Sequence, residues 1–355
     1  MSAEFMKHFG QSETLTPFLD SLYTRSISFR NFYSAGIHTN HGLYATLYSF
    51  PAMMKRNLMK GSVIPRYSGL PTVLKENGYY NLFFMTHEGQ YDNMNAFFRT
   101  NGYDEVFSQE DYPADKVVNS FGVQDDFLYD YAIPVLNQRA ATGQPFFATL
   151  LSISNHPPYV IPPFFHPKTS EPETQIVEYA DWALRQFFEE ARKQPWFDNT
   201  IFVLEGDHGK LVGDAECELP ESYNHIPLMI YSSRIQPEEK TTFGGQVDIQ
   251  PTILGLLNID YLQNNFGVDL LKEERPCMFY TADNMVVGRN DTLLYLYNYE
   301  TQQELTYDIG NGKLNAVPMD DSFLPLKEYS FSMLQSAEFL VKHGKTLNSI
   351  PFTQQ

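Results

Sequence analysis

Three short apolar runs in this chain each stop at residues able to hold a cation or a phosphate, and that pairing narrows the folds open to it. Tyr80–Thr86 (YNLFFMT) leads into His87, Pro145–Ser154 (PFFATLLSIS) into Asn155-His156, and Thr200–Leu204 (TIFVL) into Glu205-Gly206-Asp207-His208. Between the last two, Ile176, Ala180, Ala183, Leu184, Phe187 and Ala191 repeat with the helical period, so Gln175–Arg192 reads as an amphipathic helix. Apolar strands alternating with helices form a parallel sheet covered on both faces. In such sheets ligands bind beyond the carboxyl ends of the strands, where His87, His156, Asp207 and His208 fall.

The remaining elements fit the same plan. Thr16-Pro17 opens a helix through about Tyr23, Ile27–Tyr33 (ISFRNFY) is a strand, and the loop AGIHTNHG leads into the apolar helix GLYATLYSF. Leu70–Asn77 is a helix closed by Gly78. From about Met278 the texture becomes short strands with turns at Ala282-Asp283-Asn284 and Gly288-Arg289-Asn290-Asp291, followed by a helix over about Glu328–His343. The expected fold class is α/β: a three-layer α/β/α domain over residues 1–275, and a small antiparallel αβ subdomain over 276–355.

The 355 residues suffice for such a core. A formal net charge of −18, from 25 basic and 43 acidic residues, excludes a nucleic-acid binder. It leaves room for a small anionic substrate, because a bound cation reverses the field inside one cleft. Cys217 and Cys277 form no C-x-x-C pair and fit either a reducing or an oxidising compartment. No apolar run is long enough for a membrane helix, and Met1 leads into the polar MSAEFMKHFGQSETLTP with no signal peptide, so the chain as it stands reads as soluble.

Five places carry candidate chemistry. Asp207 and His208, on a strand-to-loop turn between Gly206 and Gly209, can converge on a metal; the same residues fit a polar turn with a capping Asp. His156 leaves its strand into Pro157-Pro158, which stiffen the exit; it also fits a structural histidine. His87, Asp92 and Asn93 crowd a loop at the same edge and also fit a solvated loop. Thr39 sits at a helix start, where unpaired N–H groups and the positive dipole end suit a phosphoryl oxygen; it also fits a plain cap. A threonine hydroxyl needs a base or metal to become a nucleophile. His225, opening another apolar strand (YNHIPLMIY), reads as a supporting residue or a ligand to a second metal.

In order along the chain, TPFLDSL, FYSAGIHTNHGLYATLYSFP, SGLPTVLKENGY, NMNAFFRTNGYDEVF, SFGVQDDFLYDYA, QPFFATLLSISNHPPY, YADWALRQFFEEARKQPWFDNTIFVLEGDHG, NHIPLMIY, VDIQPTILGLL and FGVDLL together resemble the lipoteichoic acid synthase-like, sulfatase-like branch of the alkaline phosphatase superfamily. The resemblance spans about Thr14 to Leu271 and implies a metal-dependent enzyme. Thr39 matches the nucleophile and, with Asp207 and His208, the metal ligands. His156 matches a phosphate contact, and His87, Asp92 and Asn93 the loop gripping a phosphoglycerol group; Phe121 stands where relatives often carry Trp. The implied cofactor is one divalent metal, manganese first, with magnesium or zinc as alternatives. The implied reaction is transfer of a phosphoglycerol-type group from a lipid or cell-envelope glycan substrate. Hydrolysis of a phosphoric or sulfuric ester by water, and a non-catalytic binding domain, are the rival readings. No C/S-x-P-x-R motif is present for a formylglycine sulfatase; SVIPR has the wrong spacing. Because relatives open this domain with a strand ending in Glu-Ser and carry N-terminal transmembrane helices, the resemblance also implies a truncated start. On that reading the parent is a membrane protein with this domain outside the cytoplasm, and the sheet and metal site lack their first strand and its Glu.

Overall fold

A computed structural model describes residues 1–61, 63–310 and 312–348. Its strands are β1 (Ile27–Tyr33), β2 (Tyr80–Met85), β3 (Glu105–Phe107), β4 (Val117–Asn119), β5 (Gly122–Val123), β6 (Phe146–Leu151), β7 (Phe202–Glu205), β8 (Leu228–Tyr231), β9 (Glu238–Gly245) and, in the C-terminal region, β10 (Met278–Thr281), β11 (Met285–Arg289), β12 (Leu293–Asn298), β13 (Gln303–Gly310) and β14 (Lys313–Ala316). The helices are α1 (Pro17–Tyr23), α2 (Thr39–Tyr48), α3 (Leu70–Glu76), α4 (Met94–Thr100), α5 (Asp125–Ala140), α6 (Pro172–Ala191), α7 (Ile249–Leu256) and α8 (Leu324–Lys342).

The strands and helices predicted around the candidate residues all form, with ends shifted by a few residues. The central layer differs from the expected all-parallel sheet in two ways. It consists of a three-stranded part, β3-β2-β6, and a four-stranded part, β7-β8-β1-β9. Within the second, β8 runs antiparallel to both β7 and β1, while β1–β9, β2–β3 and β2–β6 are parallel. Periodicity marks a buried strand but carries no information on its direction, so β8 could not be oriented from LMIY.

The two parts share the same cores. Phe146, Ala148 and Leu150 of β6 pack with Phe202 and Leu204 of β7 against α1, α5 and α6. On the opposite face Phe147 and Val203 join Leu70, Val73, Ile249 and Leu254 of α3 and α7. α2, α4 and the loop after α2 close a third cluster around Tyr48, Tyr67, Phe83 and Phe97. This is the expected α/β/α layering. Asp181 of α6 fixes α1 from outside it, accepting the Phe18 and Leu19 N–H groups at 2.9 and 2.8 Å, two of the unpaired donors of the first turn.

The C-terminal strands form an antiparallel sheet in sequential order, β10-β11-β12-β13-β14, with α8 against β10, β11 and β12. Arg275, just before β10, lies 1% exposed against the wholly buried Asp248 ahead of α7, so an internal ion pair fastens this sheet to the main layers. Among the described residues no helix is long and apolar enough to cross a membrane.

Candidate active site

α2 begins at Thr39 because His38 is still extended (φ −131°, ψ 148°) and its carbonyl accepts the N–H groups of His41 and Gly42 at 2.9 and 3.1 Å. Thr39 therefore occupies the first helical position, at the positive end of the dipole. Its hydroxyl donates to Asp207 Oδ2 at 2.7 Å. Asp207 reaches this point from the end of β7, and α2 packs tightly there: a Cβ on Gly42 would lie 2.2 Å from the Asp207 carbonyl oxygen. His208 Nε2 lies 3.5 Å from the same Oδ2, while its Nδ1 donates to the Gly209 carbonyl at 2.8 Å. That bond turns Nε2 toward the carboxylate, the nitrogen that would ligate a metal at this site. Burial works against the Asp207 charge, but His208, the Met1 amino group and the Thr39 hydroxyl outweigh it and hold its carboxyl down to about 2.

The structure thus brings Thr39, Asp207 and His208 into one cluster. Among the described residues no group of three or more His, Cys, Asp or Glu side chains is arranged to hold a metal ion. The cluster supplies one carboxylate, one imidazole and one hydroxyl, a donor set suited to a divalent cation with further positions open.

The other candidates line the adjoining edge in varied roles. His87 is 1% exposed; its Nδ1 donates to the Glu88 carbonyl at 3.1 Å, and its buried Nε2 has no partner. Burial lowers its pKa. Tyr91 lies over it with ring centroids 4.6 Å apart, Phe121 meets Tyr91, and Phe121 meets His156 at 4.1 Å, giving a continuous aromatic wall from His87 to His156. Asp92 is held by Lys60 at 2.7 Å and by Asn40, the neighbour of Thr39, at 3.2 Å. The Asn93 amide donates to the Met59 carbonyl at 2.8 Å. Both residues have positive φ, 51° and 61°, so their observed contacts shape the loop and join it to α2.

His225 has both ring nitrogens engaged, Nδ1 with Glu4 at 2.7 Å and Nε2 with the Arg30 carbonyl at 2.8 Å. Burial opposes its charge, but Glu4 wins and its pKa is raised. A histidine raised in this way contributes stability that is complete below its unfolded pKa and is lost as pH rises through the folded one. Between pH 6.5 and 9 the melting temperature of the wild type should therefore fall more than that of Glu4→Gln. Parallel melting curves would show the pair to be silent.

Three further residues support the site, and only Glu205, at the end of the TIFVL run, stood among the polar residues the sequence singled out. Gln246, wholly buried, accepts the Ala35 N–H at 2.9 Å and donates to the carbonyls of Gly206 and Asp207 at 3.1 and 2.8 Å, so one amide ties the loop before Thr39 to the Asp207 turn. Asp283, from the turn between β10 and β11, pairs with His38 Nε2 at 2.6 Å and brings the C-terminal sheet to the start of α2. Glu205, one residue before Gly206, accepts the Thr46 hydroxyl at 2.5 Å, and burial beside Asp207 pushes its carboxyl up to about 8. The sequence marked Asp283 only as part of a turn and did not mark Gln246, because their partners lie far away along the chain.

The layered sheet with this site at its carboxyl edge is an alkaline phosphatase superfamily fold. The chain aligns with a protein in the alkaline phosphatase superfamily from Vibrio parahaemolyticus at TM-score 0.87 and 27% identity, over 98% of this chain and 86% of that one. The Sulfatase family model matches residues 1–259, and the chain belongs to that family. It is 26% identical to lipoteichoic acid synthase 1 of Bacillus subtilis over 270 residues, 70% of this chain and 40% of the relative. It is 25% identical to phosphoglycerol transferase I of Xanthomonas campestris over 295 residues, 78% of this chain and 42% of that protein. The chain thus spans less than half the length of these two relatives.

Proposed function

We propose that this domain transfers a phosphoglycerol-type group from a lipid or cell-envelope glycan donor to an acceptor hydroxyl, through a covalent intermediate on Thr39. The observation that carries this reading is the Thr39 hydroxyl donating to Asp207 at 2.7 Å at the start of α2. The names of the relatives, lipoteichoic acid synthase and phosphoglycerol transferase, support the choice of group. On this reading the domain works outside the cytoplasm, on a parent protein held in the cell membrane. On this reading residues 1–275 form the catalytic domain, and 276–355 the subdomain that supplies Asp283.

Thr39, Asp207 and His208 would hold one divalent cation, manganese being our first choice over magnesium or zinc. Such an ion lowers the pKa of a bound hydroxyl and offsets charge on phosphoryl oxygens. Thr39 Oγ1 attacks phosphorus in line. The Thr–phosphorus ester forms and the bond to the donor alcohol breaks; the hydroxyl proton moves off along its existing bond to Asp207 and is matched by the proton taken up by the departing oxygen, which leaves as the alcohol. The first-turn N–H groups of α2 face the growing negative charge. His156 and His87 hold the phosphate and glycerol along the aromatic wall. An acceptor hydroxyl then attacks the same phosphorus, the Thr39 Oγ1–phosphorus bond breaks, and the proton given up by the acceptor restores the Thr39 hydroxyl. No C/S-x-P-x-R motif is present to supply a formylglycine, which argues against sulfate ester hydrolysis.

The test is product analysis of a glycerophosphate-bearing lipid incubated with manganese, with and without an added alcohol acceptor. Transfer predicts a new phosphodiester whose yield rises with acceptor. Free phosphoglycerol at an acceptor-independent rate would identify a hydrolase, and no turnover with any of the three metals would leave a binding domain.

A further inference from the structure

Three contacts between α2 and the end of β7 fall on one helix face. Thr39 donates to the Asp207 carboxylate at 2.7 Å, Gly42 lies against the Asp207 carbonyl, and Thr46 donates to Glu205 Oε1 at 2.5 Å. Positions 39, 42 and 46 are spaced three and four residues apart, the spacing that stacks side chains along one side of a helix. Glu205 closes β7 and Asp207 lies in the bend just after it, and both carboxylates accept from this face of α2. The contacts therefore run along one line of the helix, with the nucleophile at one end and Thr46 nearly two turns away at the other.

The Thr39–Asp207 bond alone does not fix the rotation and axial position of α2. Asn40 donates to Asp92 at 3.2 Å at its start and the Tyr48 hydroxyl donates to the Asn101 carbonyl at 3.0 Å at its end, and both partners lie away from β7. Leu43, Tyr44, Ala45 and Leu47 are buried apolar or aromatic residues, whose attraction is non-directional. Thr46 adds a directional contact to the end of β7 itself. Glu205 has Oε2 shut away from solvent without a partner, so its carboxyl has little else to bond and the Thr46 link is the one it keeps.

We propose that Glu205 and Thr46 are positioning residues for Thr39: their hydrogen bond sets the rotation and axial position of α2 so that the Thr39 hydroxyl stays on Asp207. This rests on the reading of Thr39 as the nucleophile. Displacements of about 1 Å at a reacting group can cost ~100-fold in rate, so a contact far from phosphorus can govern turnover without touching substrate.

Thr46→Val keeps shape and branching while deleting the donor. It should lower kcat about tenfold or more with KM within about twofold, since substrate contacts are untouched. Thr46→Ser, which restores the hydroxyl, should recover most of the loss. The double variant Glu205→Leu/Thr46→Val removes both polar partners. It should melt close to the wild type yet stay slow, which separates positioning from stability. Crystal structures and amide hydrogen exchange of the same variants need no substrate. In Thr46→Val the Thr39–Asp207 hydrogen bond should lengthen beyond bonding distance, and the first turn of α2 should exchange faster. Thr46→Val with that bond intact and exchange unchanged overturns the proposal, whether or not the chain turns over; so does unchanged kcat. A wild type inactive on every phosphodiester overturns the transfer reading instead, and the structural arm still decides the role of Thr46.

Discussion

Thr39→Ala should lower the proposed transfer rate at least ~1,000-fold and leave the fold intact. Removing a nucleophile leaves positioning and electrostatics as the remaining sources of catalysis. The fold should tolerate the change, because alanine is the better helix former and Thr39 is only half-buried at the first position of α2. The Asp207 carboxylate would lose one donor, but His208 stays 3.5 Å away and Asp207 keeps part of its access to water. Thr39→Ser, which keeps the oxygen, should hold a measurable fraction of the rate. A Thr39→Ala protein that turns over at a near-normal rate would exclude covalent catalysis at this residue.

Arg275→Ala should destabilise the protein by about 3–5 kcal/mol, the cost of leaving a buried charge without its partner. The side chains of Arg275 and Asp248 are 1% and 0% exposed. The Arg275 guanidinium donates to Asp248 Oδ2 at 2.7 Å, to the Tyr329 hydroxyl at 2.7 Å and to the Phe266 carbonyl at 2.6 Å. Asp248 also accepts the N–H groups of Gly245 and Val268, each at 2.9 Å. One pair thus links the turn into α7, the segment before β10, and α8. Arg275→Met/Asp248→Asn removes both charges at nearly unchanged volume and should recover much of the loss. Chemical denaturation measures both, and a destabilisation below about 1 kcal/mol for Arg275→Ala would show the site open to water.

These two sites differ in how far the sequence disclosed them. Asp207 and His208 were legible because an apolar strand ending in Gly-Asp-His-Gly places polar groups at a sheet edge by geometry alone. Thr39 was legible as a helix start, and Arg275 had no signal at all.

The sequence by itself determined the alternation of strands and helices, the antiparallel texture after Met278, and the placing of His87, His156, Asp207 and His208 at strand ends. These follow from local periods of two and 3.6 residues and from where each period stops. Tertiary structure alone decided the direction of β8, the split of the central layer into parts of three and four strands, and the use of Asp92 and Asn93 to hold a loop. It also decided the partners across long separations: Glu4 with His225, Gln246 with Gly206 and Asp207, Asp283 with His38, and Thr46 with Glu205. A side chain's own neighbours in sequence fix which face it takes. What it meets on that face depends on which distant segment packs there, and a buried polar group then bonds whichever partner the packing delivers, because leaving it unpaired costs more than any local preference can return.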